Sequence, residues 1–254
     1  MTTHLLSDTA VLTGRSLRHI LRSPDTIVTT VVTPIAMLLL FVYVFGGAIK
    51  TDSAASYVNY LLPGILLITV ASGVAYTAYR LFLDRQAGVF ERFQSMPIAR
   101  SSVLWAHVLT SLVANLVAIA VVLVVALLIG FRTGAGLGAW LAVVGILGVF
   151  TLALTWLAVI AGLLANTVDG ASAFSYPLIF LPFISSAFVP TDSMPGPVAA
   201  FAEHQPVTAI VDTIRALFAQ QPVGNAMWIA LIWLVAVLFA AQLLAVLAYR
   251  RQLH

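Results

Sequence analysis

Few side chains in this sequence have the types and spacing that catalysis requires. Ser72 and His107 fall in neighbouring apolar stretches and could form a serine–histidine dyad, but no oxyanion donors are evident beside them. Glu203 and His204 are adjacent, whereas two zinc ligands on one helix face need the spacing of an HExxH motif. The single lysine, Lys50 in GGAIKT, lacks the glycine that precedes the lysine of a phosphate-binding loop. Cysteine is absent, which excludes cysteine nucleophiles and thiolate metal sites. We therefore expect that this chain is not an enzyme.

Charge is concentrated in one segment, residues 80–102. It reads RLFLDRQAGVFERFQSMPIARSS, so that apolar and aromatic side chains are interleaved with acidic and basic ones. A short helix that ends at Pro97 would present Glu91 and Arg92 to water or to a partner. Exposed aromatic and arginine side chains favour a docking surface for a protein. The alternative is a solvated connector that only sets the topology.

The elements around this segment are long and apolar. The chain has 254 residues, of which 61% are hydrophobic and 8% are charged, whereas a soluble domain has about 25% charged residues. Stretches of about 20 apolar residues can cross a bilayer as α-helices. We therefore expect an all-α membrane protein that forms a single transmembrane domain over residues 1–254. Its six predicted spans are 27–49, 60–79, 103–129, 139–164, 171–190 and 226–249.

The distribution of basic residues predicts an orientation. If the N-terminus is cytoplasmic, only Lys50, Arg132 and Arg215 of the 12 basic residues fall in outer segments. Basic residues near span ends favour the cytoplasmic side of a membrane. Six spans then place both termini and the loop 80–102 in the cytoplasm, and the segment 189–225 outside the cell.

Three segments depart from the pattern of a simple span. Residues 5–22, within a cytoplasmic N-terminal segment 1–25, have one apolar and one basic face, which predicts an amphipathic helix along the lipid headgroups. The fifth stretch contains Pro177 and Pro182, so we expect its outer half to be broken or re-entrant. Residues 206–219 predict a short amphipathic helix at or in the outer leaflet, so that short or re-entrant helices join spans five and six.

The central portions of the six predicted spans carry no Asp, Glu, Lys or Arg. Ion-coupled carriers and charge-lined channels usually keep ionisable groups within their spans, so the sequence argues against both classes. Asn115 and Gln242 are the buried polar candidates, and either could be an interhelical hydrogen-bonder. Nothing in the small net charge of +3 points to nucleic acid.

The segment DRQAGVFERFQSMPIAR at 84–100 resembles the signature region of type-two ABC exporter permeases, and the likeness is greatest to permeases of the daunorubicin-resistance type. The matching residues are Gly88, Glu91, Arg92, Pro97 and Arg100. FVPTDSMP at 188–195 and QPVTAIVDTIR at 205–215 are similar to the family's segment between spans five and six, with Gln-Pro in place of the usual Asn-Pro. The resemblance extends over nearly the whole chain.

This resemblance implies a permease in the bacterial cytoplasmic membrane that works with two separate ATP-binding subunits and a second permease subunit, identical or homologous. ATP and Mg²⁺ would be held by those ATP-binding subunits, and no cofactor by this chain. Residues 84–98 would form a coupling helix that docks on the ATPase, helped by the N-terminal interfacial helix. The residues expected to contribute to this coupling are Gly88, Glu91, Arg92, Met96, Pro97 and Arg100.

Family likeness also suggests that spans two and five line a substrate cavity at the permease dimer interface. The candidate contacts are Tyr76, Phe174, Tyr176 and Phe180, for which ordinary helix packing is the competing explanation. The expected function is export of drugs, lipids, glycolipids or polyketides. An apolar lining admits all four classes alike, because burial of apolar surface is non-directional. The alternative is a membrane assembly or scaffold protein that binds a cytoplasmic partner through residues 84–98 without transport.

Overall fold

The computed structural model describes residues 5–21, 24–46, 54–89 and 100–251, and the regular structure in these ranges is helical throughout. Short π-helical and 3-10 segments, Leu40–Phe45, Leu181–Ile184 and Thr191–Ser193, interrupt or follow the α-helices. The α-helices are α1 (Leu5–Leu21), α2 (Pro24–Leu39), α3 (Ala54–Gln86), α4 (Arg100–Leu128), α5 (Leu137–Leu164), α6 (Val168–Ala173), α7 (Ser175–Phe180), α8 (Gly196–His204), α9 (Pro206–Phe218) and α10 (Ala226–Arg251). The predicted all-α class is confirmed.

Within the described part of the chain, four helices are long and apolar enough to cross a membrane, namely α3, α4, α5 and α10. They contain 33, 29, 28 and 26 residues, and about 20 residues already span the bilayer core at a rise of 1.5 Å per residue. These helices correspond to the second, third, fourth and sixth of the predicted spans.

The first and fifth predicted spans take a different form. Val31–Phe45 is a shorter apolar helix, in which α geometry gives way to a π-helix after Leu39. The fifth stretch is divided into α6, α7 and the 3-10 turn Leu181–Ile184, after which Ser185 is extended. Pro182 cannot donate the backbone hydrogen bond that would continue α7. The predicted break is confirmed, whereas six complete spans stay a prediction.

α3 is the central helix of the bundle. It packs against α2, α4, α5, α6, α7 and α9. Of an apolar 18-residue stretch of α3, 83% is buried, compared with 22% of the corresponding stretch of α10. α10 contacts α5 and α9 and otherwise exposes apolar side chains, as a lipid-facing helix does. α1 packs mainly on α4, so the predicted N-terminal helix is present, while its position along the headgroups stays a prediction.

Glycines set the closest approaches of other elements to α3. A Cβ added to Gly162 of α5 would lie 2.8 Å from the carbonyl oxygen of Ala78 and 3.0 Å from Cβ of Leu81. A Cβ added to Gly64 would lie 2.7 Å from Cβ of Ala187. In a membrane the hydrophobic effect does little to bring helices together, so close packing of backbones at small residues contributes much of their association. α5 and the chain after the broken helix are therefore both seated directly on α3.

The predicted outer segment, residues 189–225, packs against the helix bundle through α9. α9 begins at Pro206 and ends at Phe218, close to the predicted 206–219. Its predicted apolar face, which includes Val207, Ile210 and Ile214, is buried against α3, α5 and α10. The apolar side chains expected to meet the outer leaflet are thus used to cover one end of the bundle.

Candidate coupling and substrate site

The predicted coupling segment, residues 84–98, begins within the last turn of α3, which ends at Gln86. Gly88 has φ +67°, and its N–H donates to the carbonyl oxygen of Arg85 at 3.1 Å, just after Ala87 N–H donates to Leu83 O at 2.9 Å. Glycine adopts this left-handed conformation without the steric penalty of a side chain, and it commonly ends helices in this way. Gly88 therefore has a local structural cause, which is to stop α3 before the charged loop.

Of the other predicted coupling residues, the structure describes only the backbone of Arg100. Glu91, Arg92, Met96 and Pro97 lie outside the described residues. Arg100 is the first residue of α4, and its side chain is also outside the description. Gly88 and the start of α4 thus mark the two ends of the connection, and the coupling roles of all six residues stay predictions.

Arg85, one of the basic residues of the charged segment 80–102, joins two helices. Its guanidinium donates hydrogen bonds to the carbonyl oxygens of Leu163, in the last turn of α5, and of Ala165, the residue that follows the helix. A cation at a helix C-terminus also interacts favourably with the helix dipole. The guanidinium lies 5.3 Å from the ring centroid of Phe82 on its own helix. Arg85 therefore clamps the end of α5 to the end of α3.

His107 pairs with a carboxylate at the same end of the bundle. Its Nε2 lies 3.2 Å from Oδ2 of Asp84, so the histidine considered for a dyad with Ser72 faces an acid on α3. The pair lines a cavity of about 170 Å³ together with Arg15 of α1 and Arg80 of α3. The sequence pattern did not point to this pair, because Asp84 falls within the segment 80–102 that was expected to be a loop, whereas α3 continues to Gln86.

The four candidate substrate residues lie on α3, on α7 and in the turn between α6 and α7, and they differ in exposure. Tyr176 and Phe180 of α7 are 60% and 62% exposed, and their i, i+4 spacing places them on one face. Phe174 is partly buried against the main apolar core. Tyr76 of α3 is half-buried and lies 6.0 Å from the ring of Tyr79. The structure brings Tyr176 and Phe180 together on an open surface, whereas Phe174 contributes to packing.

Sequence reasoning missed a row of phenylalanine rings that continues from α7. The rings of Phe180 and Phe183 are 6.2 Å apart, those of Phe183 and Phe188 4.9 Å, and those of Phe188 and Phe41 4.8 Å. Phe41 also lies 5.5 Å from Phe45 within the π-helical segment. The row connects α7 and the chain after it to the π-helical segment Leu40–Phe45. The F-x-x-x-F spacing of Phe41 and Phe45 was its only local sign in the sequence.

A buried polar layer crosses α3, α4 and α5. Thr77 Oγ1 donates to Ser111 Oγ at 2.9 Å, and Ser111 Oγ lies 3.1 Å from Thr155 Oγ1. Asn115, 1% exposed, donates to the Ser111 carbonyl oxygen at 2.9 Å, and its amide lies against Gly73, where an added Cβ would be 2.8 Å from Cγ. Asn115 itself bonds only within α4, and its Oδ1 has no partner among the described residues, so its predicted interhelical hydrogen bond is not found there. Ser111 instead makes the links to α3 and α5, and these bonds fix the register of three helices.

The opposite end of the bundle is organised by Arg215 of α9. Its guanidinium donates to Asp212 Oδ1 at 2.9 Å, to the Ser186 carbonyl oxygen at 2.8 Å and to the Tyr60 carbonyl oxygen at 3.3 Å. It also lies 4.0 Å from the ring centroid of Tyr60. Burial lowers the pKa of Arg215, while Tyr60 and Asp212 oppose that shift. One side chain thus ties α9 to α3 and to the chain after the broken helix.

Comparison with known proteins gives consistent matches. The profile of the ABC-2 type transporter family matches residues 7–219. The chain is 31% identical over 201 residues to the daunorubicin resistance ABC transporter permease protein DrrB1 of Streptomyces coeruleorubidus, which covers 76% of this chain and 69% of that protein. It is 26% identical over 249 residues to the probable doxorubicin resistance ABC transporter permease protein DrrC of Mycobacterium tuberculosis, which covers 97% and 89%.

Proposed function

Because the chain belongs to the ABC-2 type transporter family and is an integral membrane subunit of an ABC exporter, we propose that it moves hydrophobic or amphipathic molecules across the cytoplasmic membrane. Separate ATP-binding subunits supply the energy and hold ATP and Mg²⁺. The observation that carries this proposal is the family match over residues 7–219, which includes the charged loop, the broken helix and α9. In this proposal both termini and the charged loop are cytoplasmic, and Val31–Phe45 and Val168–Ile184 form the two crossings that bring the total for one chain to six. The chain works together with a second permease subunit, either another copy of itself or a homologue.

The contacts at the inner end suggest how movement of the coupling segment reaches the substrate surface. A displacement at Gly88 is delivered to the end of α3, and Arg85 passes it to the C-terminal carbonyls of α5. Only a short turn separates the end of α5 at Leu164 from α6, and α7 follows with Tyr176 and Phe180. We propose that this α3–α5 joint links nucleotide-driven motion to the exposed aromatic face of α7.

The chemistry of that face fits a planar or lipid-like substrate. Tyr176 and Phe180 offer exposed apolar area with one phenolic hydroxyl. Behind them Phe183 is half-buried and Phe188 is buried, and no charged side chain belongs to this row among the described residues. Aromatic rings bind other flat apolar groups by stacking. The relatives are named for resistance to daunorubicin and doxorubicin, so daunorubicin is the first substrate to test.

The test of function is transport by the chain together with the ATP-binding subunit that co-purifies with it. In proteoliposomes the pair is expected to hydrolyse ATP and to move daunorubicin, and Glu91→Ala is expected to lower transport about ten-fold while ATP hydrolysis continues, since a coupling free energy of about 1.4 kcal/mol corresponds to that factor. Co-purification with a partner but no transport of any amphipathic compound would instead favour the scaffold alternative. Full transport by Glu91→Ala would reject its coupling role.

Arg85→Gln is a separate test of the α3–α5 joint. The variant keeps a polar side chain but loses the charge that holds the carbonyls of Leu163 and Ala165. We expect ATP hydrolysis to persist and daunorubicin transport to fall about ten-fold. Gln86→Ala, an exposed neighbour on the same helix, is the matched control and should transport normally. Normal transport by Arg85→Gln would show that the joint does not carry the signal.

A further inference from the structure

We infer that a cavity beside Arg132 and Arg215 binds an oxyanion, the phosphate or carboxylate of an amphiphilic molecule. The cavity encloses about 210 Å³ and lies at the end of the bundle opposite to Gly88, between the N-terminal part of α3, the chain after α4 and the end of α9. Its lining residues are Asn59, Tyr60, Arg132, Arg215, Phe218 and Ala219. Neither the family match nor the proposed transport assigns a role to this cavity.

The charge of the cavity is positive. Two guanidinium groups line it and no carboxylate does. Arg215 is paired with Asp212 at 2.9 Å, but Arg132 has no ion-pair partner within the described ranges and is exposed. An anion that enters the cavity therefore meets one guanidinium that is not already neutralised and a second that is only partly so.

Arg132 is held in place without a ligand. The side-chain amide of Asn59 donates to the Arg132 carbonyl oxygen at 2.9 Å and accepts from its N–H at 3.2 Å. Nη1 of Arg132 donates to the carbonyl oxygens of Leu127 and Phe131 at 2.8 and 2.7 Å. A guanidinium has five N–H donors, and those on Nε and Nη2 have no partner among the residues that the structure covers. The fork is therefore fixed with donors to spare, which favours oxyanion binding.

Arg215 adds a donor that is already buried. Its Nε is enclosed and has no hydrogen-bond partner in the described part of the chain, although its other nitrogens are well used. A buried N–H without an acceptor costs free energy, but an enclosed Nε is not open to a ligand in the cavity, so Arg215 contributes mainly its positive charge. The same cavity thus combines one unneutralised guanidinium with a second that is paired to a single carboxylate.

The walls indicate the rest of the ligand. Phe218 and Tyr60 place aromatic rings beside the two arginines, and Ala219 completes the apolar part of the lining. A charged head with an apolar body fits such a site better than a fully hydrated ion does. A lipid headgroup and free phosphate share the oxyanion chemistry, and the experiment separates them. Placement of the cavity in the outer leaflet rests on the proposed orientation, but binding itself does not.

The test uses the purified full chain in an uncharged detergent and three probes: dihexanoyl phosphatidic acid, dihexanoyl phosphatidylcholine and inorganic phosphate. We expect the phosphatidic acid to bind more tightly than the phosphatidylcholine, and Arg132→Gln to weaken its binding at least about ten-fold in a calorimetric titration. Arg132 is exposed, so this variant is expected to fold normally. Arg18→Gln removes the same charge from an exposed position on α1 and should bind as the unaltered chain does.

The outcomes separate the two sources of the oxyanion. A response to phosphatidic acid that Arg132→Gln loses, with none to inorganic phosphate, supports a lipid headgroup site. A phosphate response that the same variant loses supports a site for a soluble anion. Equal affinity of Arg132→Gln and the unaltered chain, or no binding of either anion, overturns the inference. Because no ATP-binding subunit takes part, such a failure leaves the proposed transport function untouched.

Discussion

Gly162→Val is expected to lower the stability of the protein by about 3 kcal/mol, or to prevent folding, because it forces a side chain into a helix contact that has no room. Even the first added carbon would lie 2.8 Å from the backbone carbonyl oxygen of Ala78 and 3.1 Å from Cδ2 of Leu81. Backbone cannot move aside as the end of a flexible side chain can, so α5 must separate from α3. The measurement is the unfolding midpoint of the purified chain in detergent.

α5 itself provides the control for this substitution. Gly145 lies on the same helix, is exposed and has nothing within 4 Å of an added Cβ. Gly145→Val therefore carries the same change in helix propensity without the clash, and its midpoint should stay close to that of the unaltered protein. Equal midpoints for the two variants would mean that α3 and α5 do not touch at Gly162.

The same contact bears on coupling. Gly162 immediately precedes Leu163, whose carbonyl oxygen accepts from Arg85. The close approach that glycine permits is what brings the end of α5 within reach of the arginine on α3. A valine at this position is therefore expected to open the Arg85 clamp as well as to destabilise the fold.

Arg215→Gln is expected to lower the stability by about 2 kcal/mol, which corresponds to a fall of about 4–8 °C in the unfolding midpoint for a chain of this size. The substitution removes a guanidinium that donates to Asp212, Tyr60 and Ser186. Tyr60 and Ser186 lie 155 and 29 residues from Arg215 in sequence, so the loss releases α9 from two other elements at once. Differential scanning fluorimetry of the purified chain measures the change.

The control for Arg215→Gln is the charge-matched Arg18→Gln, at an exposed position at the other end of the bundle, whose midpoint should change little. Asp212→Asn is a second probe of the same network, because it keeps an acceptor for Ser186 Oγ and removes only the ion pair. It should cost less than Arg215→Gln. If Arg215→Gln unfolds at the same temperature as the unaltered chain, the guanidinium does not hold these elements together.

The sequence alone determined the helical class, the long apolar helices and several of the positions where helices stop, although Pro34 and Pro63 lie inside α2 and α3 without ending them. These depend on local physics, since hydrophobic length sets a membrane helix, proline removes a backbone donor and glycine permits a left-handed residue. The interruptions of the fifth stretch three residues before Pro177 and next to Pro182, the start of α9 at Pro206 and the stop of α3 near Gly88 all follow from such local rules. The family pattern is likewise readable from order and spacing along the chain.

Only the tertiary structure decided which side chains meet. Arg85 was one basic residue among nine assigned to the cytoplasmic side until α5 brought two carbonyls to it from 78 and 80 residues away. α9 has the periodicity of a helix at the lipid surface, yet its apolar face covers the end of the bundle. In both cases the residue type shows that a group can donate a hydrogen bond, accept one or be buried. Which partner it meets depends on helices that are distant in sequence and adjacent in space, and no local pattern encodes that contact.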